Sequence, residues 1–482
     1  MTLRTSLALL LFAAAPAAAP AYAQPAKPPA AKPPAAKAPA PKPAAATTDD
    51  MAAFEKDLDA LFARGGLTAD QAAQRAAGAS PTVRRRVAEL EAAIAQAEAA
   101  GLARVPQVSG KLSYTRLSHL DDAVLDLGLG MPVVIQSLEN SYLAEAQLVV
   151  PLSDYLLRYP KLIASARLGA EVARLNKRSS ELSAGQDARL GYYEWVRANL
   201  QVLIAKRQLV QVQRTLDQVR ALTEVQRLSR AELLRVESQE AQAEQTLDQL
   251  TNLAQLREEQ LRLLIGAGTE PLAIGEDIRA DLPGGGAAGL DDLVGTAKRQ
   301  RLELKAIETG IQAKESQRAA EKANLLPRLS AVGVVDYADP NQRVFPAVDE
   351  FRLTWSVGAQ LTWTLNDALI SRTSERRITA EANQLRADHE NFERGTRLEI
   401  LSAQQAVALA EHALTTSQKG LTAAEEGYRV RKELLNADRA TAVELVDAET
   451  ELTRSRITAL NARVDLRVAR AQLDHALGND GK

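Results

Sequence analysis

The chain has 482 residues, of which 46% are hydrophobic, 25% charged and only 4% aromatic, with a net charge of −2. So even a balance of charge argues against bulk attraction to nucleic acid, and the absence of cysteine excludes disulfides and a sulfur-linked lipid anchor. Abundant Ala, Leu, Glu, Gln and Arg favour long helices, because these side chains lose little freedom in a helix.

The N-terminus reads as an export signal over residues 1–23. Arg4 precedes an apolar run over 7–12, and Ala21-Tyr22-Ala23 forms a small-x-small cleavage site before Gln24. Residues 24–50 are rich in Ala, Pro and Lys, with Lys27, Lys32, Lys37 and Lys42 spaced five apart. Proline removes donors and apolar bulk is missing, so an extended, semi-rigid tether is expected. It serves either as a plain spacer or as a contact to an anionic cell-wall polymer. No later stretch reaches the roughly 20 apolar residues of a spanning helix. A membrane crossing would therefore require a closed β-barrel.

Beyond the tether the chain is duplicated. Segment 81–106 (PTVRRRVAELEAAIAQAEAAGLARVP) corresponds to 302–327 (LELKAIETGIQAKESQRAAEKANLLP) at an offset of 221. Further on, Ala146-Gln147-Leu148 corresponds to Ala359-Gln360-Leu361 at 213, and Leu264-Ile265-Gly266 to Ala476-Leu477-Gly478 at 212. The register changes at one place, 119–140 in the first copy and 338–350 in the second, as the length variation of a surface loop allows. The copies span 51–266 and 291–478, with a linker over 267–290.

Strands are expected on both sides of each loop, at about 106–117 and 141–152, then 327–337 and 351–365. In the last, Phe351, Leu353, Trp355, Val357, Ala359, Leu361, Trp363 and Leu365 alternate with polar residues and Gly358. Period two puts the apolar set on one face. Val108, Gly110, Leu112 and Tyr114 oppose Gln107, Ser109, Lys111, Ser113 and Thr115 in the same way. A soluble half-buried sheet and a barrel with lipid outside and water within both produce such a pattern. The export signal favours the barrel, as do the aromatics in or beside the strands (Tyr114, Tyr142, Tyr337, Phe345, Phe351, Trp355, Trp363), with Phe351, Trp355 and Trp363 as membrane-facing candidates. Four strands cannot close a membrane barrel, whose minimum is roughly eight, so subunits would have to pool them.

Each second strand is followed by a helical hairpin, over about 155–266 and 367–478. Leu445, Leu452, Ala459, Leu466 and Leu473 form a heptad seam with Ala448, Ser455, Ala462, Ala469 and Ala476 beside it. An antiparallel coiled coil without a lumen gives the same seam. At the tips, Ser229-Arg230-Ala231-Glu232 and Thr441-Ala442-Val443-Glu444 are both S/T-x-x-E capping boxes. Asp447 lies one turn beyond Glu444 on the same face. Under rotational symmetry the two would form carboxylate rings favouring cations at a constriction; a solvated charged face is the alternative. His119, His389, His412 and His475 lack metal-ligand spacing, so no catalytic centre, metal or cofactor is indicated.

The unit of helix, strand, loop, strand and long hairpin, occurring twice after an export signal, resembles the TolC family of outer-membrane efflux proteins. Local wording carries it: LTADQAAQRAAGASPTV at 67–83 looks like the family's opening helix. Val105-Pro106-Gln107-Val108 and Leu326-Pro327-Arg328-Leu329 look like its proline-led strand entries, and Gly191-Tyr192-Tyr193-Glu194-Trp195 like its first hairpin arm. Glu444-Leu445-Val446-Asp447-Ala448 is similar to its tip motif, and Leu477-Gly478 to its usual end. The resemblance implies a mainly α fold with a membrane β-barrel portion, a homotrimer that forms an α/β barrel channel across the outer membrane and periplasm of a Gram-negative bacterium. Implied partners are outer-membrane lipid, a periplasmic adaptor (membrane fusion protein) and an inner-membrane transporter of the RND, ABC or MFS type. The implied function is a passive exit duct for tripartite efflux or type I secretion, with an iris-like periplasmic entrance. The rival readings are a periplasmic adaptor or another soluble exported coiled-coil protein. Asp447 and Glu444 match acidic positions that narrow the entrance, Tyr428 in Glu426-Gly427-Tyr428 looks like a constriction tyrosine, and Ser229, Glu232 and Thr441 would cap the tips that dock the adaptor. Gln226 and Asp438 replace a glycine common in the family, and Ala440, next to Arg439, stands where a gating arginine can occur.

Overall fold

The structure, a computed structural model, describes residues 56–125, 133–135, 137–280, 282, 289–345, 347–437 and 439–479. The expected export signal and Ala/Pro/Lys tether lie outside the described residues.

Each repeat opens on helices. Strand β1 (Phe62–Leu67) leads to α1 (Ala69–Ala79), whose Thr68 and Gln71 form a complete capping box, and then to α2 (Pro81–Leu102). The expected opening helix over 67–83 is thus two helices. Pro81 cannot continue α1 but suits the first turn of α2, and Ser80 between them is extended. The counterparts in the second repeat are α6 (Leu290–Gln300) and α7 (Leu302–Ala323), in chain order after the first hairpin. Helices α2 and α7 have the same length, 22 residues.

Four strands stand in the order β2 (Gln107–Arg116), β5 (Asn140–Val150), β6 (Arg328–Asp339) and β7 (Arg352–Thr362) in one antiparallel sheet. Each repeat supplies a β-hairpin, and the two meet along β5 and β6. Two features differ from expectation. The last strand is shorter than 351–365, because helix α8 already begins at Leu365. The first loop is not wholly irregular: β3 (Ala123–Leu125) and β4 (Val133–Ile135) pair within it.

A short helix α3 (Leu152–Leu157) leads into the first hairpin, α4 (Tyr159–Glu224) and α5 (Arg230–Ile265); the second is α8 (Leu365–Asn436) and α9 (Ala442–Leu477). At 1.5 Å per residue, the 66 residues of α4 extend roughly 100 Å. The return arms α5 and α9 each have 36 residues and each ends at a glycine in the left-handed region, Gly266 (φ 64°) and Gly478 (φ 76°). No described helix is long and apolar enough to cross a membrane.

A core below the sheet joins both repeats. Tyr192, Trp195, Val196 and Leu200 of α4 pack with Ala72 and Ala76 of α1, Leu261 and Ile265 of α5, and Val464 of α9. The segment after α5 takes part as well: Ile274 and Ile278 are buried in this core. Leu67 N–H donates to Ala273 O and Gly275 N–H to Leu67 O, both at 2.8 Å. The backbones approach so closely that a Cβ on Gly66 would meet Ala273 O at 2.6 Å. Arg467 of α9, only 5% exposed, closes the site by donating to Glu276 Oε1 (3.2 Å) and Ala280 O (2.7 Å).

Candidate functional site

The sheet has two chemically distinct faces, and the register aligns them across all four strands. Val108, Leu148, Gly333 and Val357 stand in one cross-strand row. Gly110, Ala146, Val335 and Trp355 form the next, and Leu112, Ala144, Tyr337 and Leu353 the one after it. The other face carries rows such as Lys111, Glu145, Asp336 and Thr354, or Ser109, Gln147, Val334 and Ser356. The central strands β5 and β6 alternate less cleanly because Leu143, Val149, Val332 and Val334 are apolar on the polar side.

The apolar face is uncovered. Leu112 is 86% exposed, Val357 76%, Trp355 70% and Leu353 65%. Patches of this extent are uncommon on soluble monomers and mark contact with a partner or a membrane. An aromatic row crosses the sheet at its loop end: Tyr114 contacts Tyr142 (5.0 Å between centroids), and Phe351 contacts both Tyr142 (5.9 Å) and Tyr337 (5.1 Å). At the helical end Trp363 is half exposed and donates its indole N–H to Leu325 O at 3.3 Å. Phe351 and Trp363 flank β7 rather than belong to it, while Trp355 lies inside it. Strands β2 and β7 are the edges, each paired on one side only.

At the opposite end of the hairpins are the tips. Ser229 and Glu232 form the full reciprocal cap: Glu232 N–H donates to Ser229 Oγ (3.3 Å), and Ser229 N–H to Glu232 Oε2 (3.0 Å). Thr441 caps in one direction only, accepting from Glu444 N–H at 3.3 Å. The second box is therefore half-formed, a correction to the sequence pattern. The Glu444 carboxylate turns instead to Arg431 of α8, at 2.5 Å, because a guanidinium across the hairpin is a stronger partner than a backbone amide. Gln226, where the resembled family favours glycine, adopts φ 60° in the turn of the first tip. Asp438 lies outside the described residues.

Asp447 reaches the other hairpin. Its Oδ1 accepts from Arg235 Nη2 of α5 at 3.4 Å, an exposed pair. Tyr428 sits one turn from Arg431 on α8, half-buried, with Lys432 Nζ 5.8 Å from its ring centroid. The structure thus gathers Ser229, Glu232, Thr441, Glu444 and Asp447 at the tips, with Tyr428 further along α8.

Behind the tips, a polar ladder ties the first hairpin to the second. Gln239 Nε2 donates to Thr450 Oγ1 (2.7 Å), Gln218 Nε2 to Asn436 Oδ1 (3.4 Å), Gln201 Nε2 to Asn461 Oδ1 (3.2 Å), and Arg197 Nη2 to Asp465 Oδ1 (2.5 Å). Between these rungs the packing is apolar, with Leu216, Val219, Val236 and Val446 in one buried cluster. Among the described residues of this stretch, one ionisable side chain is buried. Glu449 of α9 is 3% exposed and accepts from Thr215 Oγ1 of α4 at 2.8 Å, and its Oε2 is buried without a hydrogen-bond partner. Burial pushes its carboxyl up to about 7, against weaker pulls from the Thr215 hydrogen bond and the Lys432 charge.

Arg235, Arg431, Thr215 and Glu449 are not legible in the sequence as tip or seam residues. Only Glu449 leaves a trace, since it directly follows the seam residue Ala448 and sits between Leu445 and Leu452. Among the described residues no group of three or more His, Asp or Glu is arranged to hold a metal ion.

Residues 293–479 match the outer membrane efflux protein family. No significant match is found among curated proteins. Solved structures share the fold: CusC, described for transmembrane channel formation, has a TM-score of 0.71 at 17% identity, over 87% of this chain and 93% of that one. The Neisseria gonorrhoeae MtrE outer membrane channel in its open state gives 0.70 at 17% identity, covering 86% and 89%. The Campylobacter jejuni CmeC outer membrane channel gives 0.69 at 13%, covering 88% and 87%. The second half of the chain thus matches the outer membrane efflux protein family, and the chain as a whole shares the fold of these outer-membrane channels.

Proposed function

We propose that the chain is one subunit of a homotrimeric exit channel, whose pooled strands make a barrel in the outer membrane and whose hairpins make a tunnel through the periplasm. One observation carries this reading. A four-stranded sheet exposes an apolar face across every strand and leaves both edges open, so it is complete only when copies pair edge to edge in a hydrocarbon setting. Cargo would pass without chemical change, from an inner-membrane transporter through a periplasmic adaptor, in efflux or type I secretion. The adaptor reading fits less well, because the chain carries two long hairpins and this uncovered face. Full-length protein should require detergent and run as three copies. Its recovery as a monomer from the aqueous periplasmic fraction would overturn the proposal.

The tips supply the entrance. Threefold repetition would set Asp447 and Glu444 in rings that attract cations. Arg235, by pairing with Asp447 across the two hairpins, would act as a latch in place of the arginine absent at Ala440, while Arg431 holds Glu444 within the second hairpin. An exposed pair of this kind contributes at most about 1 kcal/mol, or about fivefold in an open–closed equilibrium. Asp447→Ala should therefore raise conductance by no more than about that factor for each subunit that opens, and lower cation preference in planar bilayers. Unchanged currents would remove Asp447 from the pore.

A further inference from the structure

We propose that Glu449 is the protonation-sensitive residue of the entrance: uncharged, it holds the seam between the two hairpins shut, and ionised, it loosens that seam. The inference rests on the exit-channel reading and adds to it the group through which pH controls opening.

The geometry singles out this carboxyl. Glu444 and Asp447 at the tip stand half exposed or more beside arginines, so water screens them whatever their partners do. Glu449 lies deeper, between α4 and α9, with Leu445, Val446 and Leu452 buried around it on its own helix. Helix α4 presents the Thr215 hydroxyl to it, flanked along that helix by the buried Val212, Leu216 and Val219. From α8 the charge that acts on it is Lys432, and that influence is weaker than burial. The nearby polar groups of α5 are engaged elsewhere, Arg235 with Asp447 and Gln239 with Thr450. The single hydroxyl satisfies Oε1 and leaves Oε2 with nothing. A neutral carboxyl tolerates that setting, whereas a carboxylate there lacks the hydrogen bonds a buried charge needs.

Relief requires water or Lys432 to reach Oε2, and both demand that α9 move away from α4. These helices belong to different hairpins, the two bodies that any widening of the entrance must separate. The sign comes from linkage. The carboxyl binds its proton more tightly in the closed seam, near 7, than at the ordinary glutamate value of 4.5 in an opened, hydrated one. Closure is strongest below about 4.5, weakens as pH rises, and reaches its weakest plateau above about 7. Between pH 5.5 and 8.5 the opening constant should grow about 30-fold.

The chain has no cysteine, so Val446→Cys in the full-length protein places a unique thiol in the seam; Val219→Cys does the same from α4 should the first variant fail to fold. The maleimide labelling rate at each pH, divided by the rate for the same cysteine combined with Glu449→Gln, cancels the ionisation of the thiol. That ratio should rise about 30-fold from pH 5.5 to 8.5, and bilayer currents should rise with it in the Glu449 protein but not in Glu449→Gln. A flat labelling ratio overturns the proposal. A rising ratio in a protein that carries no current at any pH would establish the seam switch and overturn the channel reading instead.

Discussion

Val357→Arg should abolish assembly, while Ser356→Arg, one residue away on the same strand, should leave it intact. Val357 is 76% exposed in the isolated chain and stands mid-strand in the apolar row with Val108, Leu148 and Gly333. Facing hydrocarbon near the middle of the bilayer, an arginine costs about 2–4 kcal/mol per copy, and a trimer would bear that cost three times. Ser356 points to the opposite face, in line with Ser109, Gln147 and Val334, where water would solvate the new guanidinium. A soluble sheet, with water on the exposed face, would give the reverse ranking or none, since a surface arginine is nearly free. The measurement is the fraction of oligomer in the outer-membrane fraction for each variant. Equal yields would remove hydrocarbon from the apolar side.

Much of this arrangement can be read from residue order, because each feature has a local cause. Period two in β2 and β7 reports faces directly, as these edge strands are apolar on one side and polar on the other. The return arms announce themselves at both ends, by Ser229 or Thr441 before and Gly266 or Gly478 after. The features that escape depend on contacts between distant segments. Strand β1 exists by backbone pairing with Ile274, about two hundred residues later, and β3 and β4 have three residues each, too few to show a period. In sequence the Thr441 box looks equivalent to the Ser229 box, but Arg431 from the facing arm diverts Glu444. Asp447 is legible as an acidic tip residue, whereas its partner Arg235 lies in the other hairpin and no spacing rule connects them. Glu449 does not stand out because a charged residue beside a heptad seam is ordinarily solvated; only the approach of α4 buries it.

The second large effect is expected in the core below the sheet. Trp195 is 2% exposed and belongs to the cluster in which α1, α4, α5, the segment after α5 and α9 converge. Trp195→Ala should destabilise the protein by about 3–5 kcal/mol, as loss of a buried aromatic in a close-packed interior does. Because Val464 of α9 shares the cluster, the damage should extend to the junction between repeats and lower the yield of folded chain before assembly. Trp195→Phe should cost much less. The indole N–H is buried with no hydrogen-bond partner among the described residues, and leaving such a donor unsatisfied costs about 1–3 kcal/mol. Phenylalanine removes that donor together with part of the ring, so the relieved penalty offsets most of the cavity term. Thermal or denaturant unfolding of the detergent-solubilised protein gives the ranking. If Trp195→Phe lost as much stability as Trp195→Ala, the indole would be held by a polar contact and the packing account of this junction would fail.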